Sequence, residues 1–269
     1  MNCFHSARRV VVKIGTTTLT YETGRINLRR IEHLVKVLSD LANSGKEIIL
    51  VSSGAISVGC SKLGLTQRPK DTPSRQAAAA VGQCELMNLY DQLFLQHHHN
   101  VAQLLLTKDV TDDATRRQHV VNTFLRLLEM GAIPIVNEND TVAVDELEGD
   151  HFGDNDSLSA LVAQLCEADA LVILSDIDGL YDSDPNANPG AKLIPLVKEI
   201  DARIAAMACG SGSNRGTGGM ATKIQAAKAA TESGIATAII NGNQPDLLYQ
   251  LFETGQAGTI FPARPCPGK

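Results

Sequence analysis

The chain has 269 residues, 43% hydrophobic and 20% charged, with 24 Lys and Arg against 30 Asp and Glu for a net charge of −6. That composition suits one large globular domain or two small ones and argues against a nucleic-acid-binding protein. No apolar run approaches the ~20 residues a membrane span needs, and the opening MNCFHSARR lacks the apolar core of a signal peptide, so a cytoplasmic protein is expected.

Strand-like and helix-like segments alternate along the chain. Residues 8–14 read as a short β-branched strand that Gly15 closes. Over 27–45, Leu28, Ile31, Leu34, Val35, Leu38 and Leu41 recur at helical spacing, and Gly45 is placed to stop the helix. A strand at 46–55 runs into a small-residue turn, and 74–96 reads as a long helix. Strands follow at 100–107 and 131–140, with a helix around 115–130 between them. A helix over 154–168 carries carboxylates in its first turn, and 170–176 is a wholly apolar strand. Helices near 201–208, 219–234 and 245–253 and strands near 236–241 and 257–261 complete the pattern. YDSDPNANPGAK (181–192) reads as a polar surface loop and the tail ARPCPGK as a frayed end. No repeat or low-complexity linker divides the chain, so 1–269 reads as one domain. The alternation predicts an α/β fold with a mainly parallel sheet covered by helices on both faces. Ligands in such sheets bind beyond the carboxyl ends of the strands.

Those ends are rich in reactive side chains. Lys13 lies in an apolar strand, where an ammonium is costly unless paired or solvated. It is either a lysine snorkelling from an edge strand or part of a phosphate site, since a glycine and three threonines follow it. Ser52, Ser53, Gly54 and Ala55 form either a site or a serine-capped strand-to-helix turn. The G-x-S-x-G nucleophile elbow is absent. NENDTVAVDE and GDNDS (153–157) gather carboxylates and amides that could bind Mg²⁺, orient lysines or hold an amine. Alternatively Asp154, Asn155 or Asp156 caps the following helix. The histidines of QHHHN (96–100) point in different directions and read as a solvated helix end. Six cysteines, at 3, 60, 84, 166, 209 and 266, show no CxxC pair or metal-ligand spacing and read as buried free thiols. GTGGMATK (216–223) puts three glycines before a lysine and a helix, but Thr222 stands where the P-loop needs glycine. Alone, it reads equally as a phosphate cradle or a helix start. Together, lysines and glycine turns at both ends of the chain imply a bridged polyanion, and the central acids and amides imply a second, smaller polar ligand. Phosphoryl transfer asks for those two provisions, positioning and charge neutralisation.

VVKIGTTTL, VSSGAIS, PIVNENDTV, GDNDSLSALVA, LSDIDGLYDSDP and GTGGMATK also stand in the order and spacing that resembles the glutamate 5-kinases, a branch of the amino acid kinase family, from about residue 8 to 262. Aspartokinases and N-acetylglutamate kinases are less similar at the acceptor segments. The resemblance implies a three-layer α/β/α sandwich, with glutamate in the N-terminal half and ATP in the C-terminal half. It implies that Lys13 and Lys223 neutralise charge on the transferring phosphoryl group and that Asp156 holds both lysines. Ser53, Asp140 and Asn155 match glutamate-binding positions. Ser175 and Asp176 match a nucleotide-contact pair. The segment Thr217, Gly218, Gly219, Met220, Ala221, Thr222 and Lys223 matches the ATP-binding loop, and the Gly15 and Gly54 turns would offer N–H groups to phosphoryl oxygens. Mg²⁺ would arrive with ATP, held by phosphates and water rather than by a protein metal site. The product would be glutamyl 5-phosphate, made in the first step towards proline, with proline as a feedback inhibitor. Asn137, Glu138, Asn139 and Asp140 would form an acceptor-rich wall suited to the ammonium of a free amino acid. Many relatives carry a C-terminal PUA domain, for which this chain has no room after GTIFPA. A homo-oligomer that binds neither nucleic acid nor membrane is expected. The competing readings are the same fold acting on another acidic amino acid, and a non-catalytic sensor, which would not need Lys13, Asp156 and Lys223 together.

Overall fold

The computed structural model describes residues 3–142, 155–185, 187–209 and 219–264. Among these, the strands are β1 (Arg9–Ile14), β2 (Glu47–Val51), β3 (Val101–Leu106), β4 (Ile133–Glu138), β5 (Ala170–Ser175), β6 (Ala236–Asn241) and β7 (Thr259–Phe261). They form one sheet in the order β3-β4-β2-β1-β5-β6-β7. All neighbours pair in parallel except β6 and β7, which are antiparallel. The helices are α1 (Thr16–Leu19), α2 (Leu28–Asn43), α3 (Ala55–Lys62), α4 (Thr72–Leu95), α5 (Ala114–Glu129), α6 (Asn155–Leu165), α7 (Ala202–Cys209), α8 (Met220–Glu232) and α9 (Leu247–Thr254).

Two separate apolar cores show why this is a three-layer sandwich. Side chains alternate between faces along a strand. Val10, Val12 and Ile14 of β1 join one core with α2, α3, α4 and α9. Val11 joins the other core with α5, α6, α7 and α8. With both faces covered, β1, β2 and β5 can be almost continuously apolar. The same alternation puts Lys13 on the face of Val11, towards α6 and α8. The caps follow from the sequence: Asn27, Asp71 and Asp113 each accept a hydrogen bond from the third residue of the helix they precede. Asp113 is held below the usual carboxylate range chiefly by its bond from the Arg116 amide.

Two helices depart from the expected pattern. TTTL and AISVGCSK are poor helix formers, being β-branched or glycine-containing, yet they form α1 and α3. Tertiary contact outweighs propensity in α3. A Cβ at Gly59 would lie 1.8 Å from the Ala78 carbonyl oxygen, and one at Gly82 would lie 1.8 Å from that of Ala55, so α3 and α4 touch backbone to backbone. The cysteine expectation is corrected in part. Cys60 and Cys166 are buried, but Cys3 and Cys84 are exposed, because the first precedes the sheet and the second sits on the outer face of α4. Burial pushes the Cys166 thiol up to about 12. At the end of α4 His98 is exposed, while the His99 ring lies 3.2 Å from the Ser39 carbonyl oxygen. Residues 181–185 and 187–192 form a surface loop tied by the Lys192 amide donating to Asp182, and Asn186 lies outside the described residues. Gly153, Asp154, Thr217 and Gly218 lie outside the described residues, as does the tail from 265.

Candidate active site

The carboxyl ends of β1, β2, β4 and β5 converge on the start of α6. Lys13 is not an edge lysine: β1 lies between β2 and β5, and the residue is 3% exposed. Its ammonium is neutralised from the helix layer. Lys13 Nζ lies 2.6 Å from Asp156 Oδ1, and Lys223 Nζ lies 3.1 Å from Asp156 Oδ2. Thr222 Oγ1 donates to the same Oδ2 at 2.8 Å. Asp156 is fully buried, and Lys223 nearly so. Helix geometry delivers the pair: Gly219 caps α8 in an extended conformation, which puts Thr222 and Lys223 in its first turn, facing α6. One carboxylate thus holds two ammoniums. Asp156 does more than start a helix, since a cap alone would not need complete burial between two lysines.

The residue before it serves a different cluster. Asn155 Nδ2 donates to the Ser52 carbonyl at 2.7 Å, to Ser53 Oγ at 2.8 Å and to Asn137 Oδ1 at 3.0 Å. Its Oδ1 is buried with no hydrogen-bond partner among the described residues. Ser53 is not a helix cap. The N-cap of α3 is Gly54, in the left-handed region at φ 88°, and no side chain caps it; a side chain there would be strained. Ser53 Oγ is left to face Asn155. Consecutive residues of α6 therefore organise two adjoining clusters, a cationic one through Asp156 and a hydroxyl-amide one through Asn155.

The other expected residues lie along the same edge of the sheet. Gly15 joins β1 to α1. Ser175 is buried at the end of β5, and the exposed Asp176 beside it lines a cleft of about 910 Å³ with Thr16, Thr17, Arg30 and Asn243. Met220 is buried and Ala221 half-buried at the start of α8. Asp140 is half-buried just beyond β4. The wall expected there is subdivided. Asn137 turns inward, its Nδ2 donating to Gln83 Oε1 at 2.8 Å and its Oδ1 accepting from the Glu138 amide at 2.9 Å, and Asn139 accepts from Thr141. Sequence reasoning missed Gln83 and Tyr90, whose hydroxyl lies 2.9 Å from Ser52 Oγ. The available signal was a glutamine and a tyrosine seven residues apart on a helix face that is otherwise buried and apolar.

The donor set suits a polyanion better than a bare cation. Both Asp156 oxygens are engaged by the lysines and Thr222. Among the described residues, no group of three His, Cys, Asp or Glu side chains could hold a metal ion. No helix among them is long and apolar enough to cross a membrane.

Residues 8–241 match the amino acid kinase family. The chain is 52% identical to the glutamate 5-kinase of Clostridium perfringens, over 96% of each chain. It is 50% identical to that of Enterococcus faecalis, over 97% of this chain and 96% of the other. Its fold is similar to that of carbamate kinase from Giardia lamblia bound to AMP-PNP, with a TM-score of 0.66 at 15% identity over 96% of this chain and 99% of that one. It is also similar to UMP kinase from Bacillus anthracis, with a TM-score of 0.64 at 16% identity over 96% and 97%. At such identities the structural likeness speaks for the fold alone.

Proposed function

The chain belongs to the amino acid kinase family, and from that premise we propose that it transfers the γ-phosphoryl group of ATP to the γ-carboxylate of L-glutamate. The observation that carries this reading is the buried arrangement of Lys13 and Lys223 on Asp156 at the strand ends, beside the Ser53–Asn155 cluster. Its relatives at about half identity bear the name glutamate 5-kinase.

A carboxylate nucleophile is already ionised near neutral pH. No proton has to be removed from it, so the site needs no catalytic base. The chemical difficulty is electrostatic: one anion must approach another. A carboxylate oxygen of glutamate attacks the γ-phosphorus, a new O–P bond forms, and the bond to the bridging oxygen of ADP breaks. Lys13 and Lys223 would stabilise the charge that spreads over the transferring oxygens, and Asp156 would keep both ammoniums at fixed positions before substrate arrives. Thr222 fixes the carboxylate in turn. Ser53, Asn155 and Asp140 would hold glutamate, and Asp140 would meet its ammonium. Gly15, Ser175, Asp176 and the segment Thr217 to Lys223 would receive ATP. Mg²⁺ bound to the phosphates and water of ATP would supply further charge neutralisation.

ATP consumption across a panel of acidic amino acids tests the reading. Glutamate is expected to be turned over far better than aspartate or N-acetylglutamate. ATP binding without turnover of any acceptor would favour the sensor and refute the proposal.

A further inference from the structure

The acceptor cluster is braced from the opposite helix layer. Gln83 and Tyr90 are seven residues apart on α4, two turns along one face. Both are buried, and each reaches the end of a different strand. Tyr90 meets Ser52 after β2, and Gln83 meets Asn137 on β4. The contact of α3 with α4 at Gly59 and Gly82 fixes the height at which α4 presents the neighbouring Gln83.

Backbone groups fix the polarity of the chain that starts there. The Glu138 amide donates to Asn137 Oδ1, so Asn137 must turn its Nδ2 the other way, where Gln83 Oε1 receives it. At the far end the Ser52 carbonyl fixes Asn155 Nδ2. Asn137 Oδ1 is then the acceptor shared by Glu138 and Asn155. Asn137 is 2% exposed, so without Gln83 its Nδ2 becomes a buried donor lacking this acceptor. Side chains in that position rotate to recover a bond. Rotation takes Oδ1 away from Asn155, which keeps the Ser52 carbonyl and Ser53 Oγ but loses the third contact that sets the tilt of its amide and the direction in which Ser53 Oγ is held.

We propose that Gln83 is a positioning residue of the acceptor site: through Asn137 it sets the orientation of Asn155 and Ser53, and so the affinity for glutamate. This rests on the assignment of Ser53 and Asn155 to the acceptor side. Gln83 itself acts at one remove and leaves the Lys13–Asp156–Lys223 cluster alone.

The test compares wild type, Gln83→Met and Gln83→Glu, with glutamate and ATP varied separately and a thermal melt for each protein. Methionine keeps the length and removes the acceptor. Glutamate keeps an oxygen at the same place. Gln83→Met is expected to raise KM for glutamate on the order of tenfold, the value of one net hydrogen bond, with KM for ATP unchanged. Gln83→Glu is expected to bring KM for glutamate part of the way back, because its oxygen restores the acceptor for Asn137 while its buried charge opposes an anionic substrate. An unchanged KM for glutamate in Gln83→Met would overturn the proposal. So would an equal rise in both KM values in both variants together with a lowered melt, which marks a structural role only. If Gln83→Met does not fold, Gln83→Asn takes its place, since its oxygen falls one methylene short of Asn137 Nδ2: a raised KM for glutamate alone is expected, and an unchanged KM would overturn the proposal. A wild-type protein inert towards glutamate would instead refute the acceptor assignment itself.

Discussion

Replacing Asp156 by Asn changes the site's charge with almost no change in its shape. Asparagine still starts a helix well, so any loss reports the carboxylate. The carboxylate lies 2.6 Å from the Lys13 ammonium and 3.1 Å from that of Lys223. At an effective dielectric of about 20 these separations correspond to attractions of about 6 and about 5 kcal/mol before desolvation is charged against them. Desolvation offsets most of that while the cluster is intact. Once the carboxylate is gone, two buried ammoniums remain, and one of them faces the new amide's N–H₂, donor to donor. Breaking a buried pair in this way costs about 3–5 kcal/mol, a fall in Tm on the order of 10 °C for a chain of this size. The lysines also lose their fixed positions, so kcat is expected to fall ~10²–10³-fold. Steady-state release of ADP with glutamate saturating, run beside a thermal melt, measures both effects. Activity within about threefold of wild type, with an unchanged melt, would reduce Asp156 to a helix-start residue and refute the charge argument.

Lys223→Ala is expected to lower kcat roughly a hundredfold while KM for glutamate stays near wild type; normal kcat with a raised KM for ATP would make the lysine a ground-state anchor. Proline is expected to compete with glutamate, and titrating it at several glutamate concentrations checks this, since inhibition that glutamate cannot relieve places the regulator elsewhere. Burial holds the Cys166 thiol protonated up to about 12, above its ordinary value in the unfolded chain. The raised folded value contributes stability that is intact below the unfolded pKa and is lost as pH climbs towards the folded one. Denaturation at about pH 8 and about pH 10 should therefore show a smaller alkaline loss in Cys166→Ala than in wild type; equal losses would remove Cys166 as the source.

The layered fold was legible because its signals are local and repeated: 3.6-residue spacing in α2, continuous apolar strands, and caps at Asn27, Asp71 and Asp113. Propensity misled where long-range packing decides, as at α3, whose two-glycine contact with α4 joins segments that no short window contains. Lys13 stood out in the sequence because an ammonium in an apolar strand demands an explanation. That Asp156 supplies it could be expected only from family resemblance, since 143 positions separate the two and no spacing rule links them. The signal at Gln83 and Tyr90 was ambiguous for a similar reason. In a helix of alanines and leucines, a buried polar residue looks like an exposed one until its partner on another element is known. The acceptor wall was legible as composition but not as geometry: Asn137 spends both ends of its amide on the protein.

Phosphoryl transfer to free glutamate is tested by kcat/KM for L-glutamate and N-acetyl-L-glutamate, measured side by side with the acyl phosphate trapped by hydroxylamine. The acetylated compound has no ammonium to offer Asp140 and the amide cluster, and a site that relies on such a bond can discriminate by ~10⁴-fold. A strong preference for L-glutamate is expected, with the hydroxamate formed at the γ-carboxyl. Equal or better turnover of N-acetyl-L-glutamate would contradict it and remove the role proposed for Asp140.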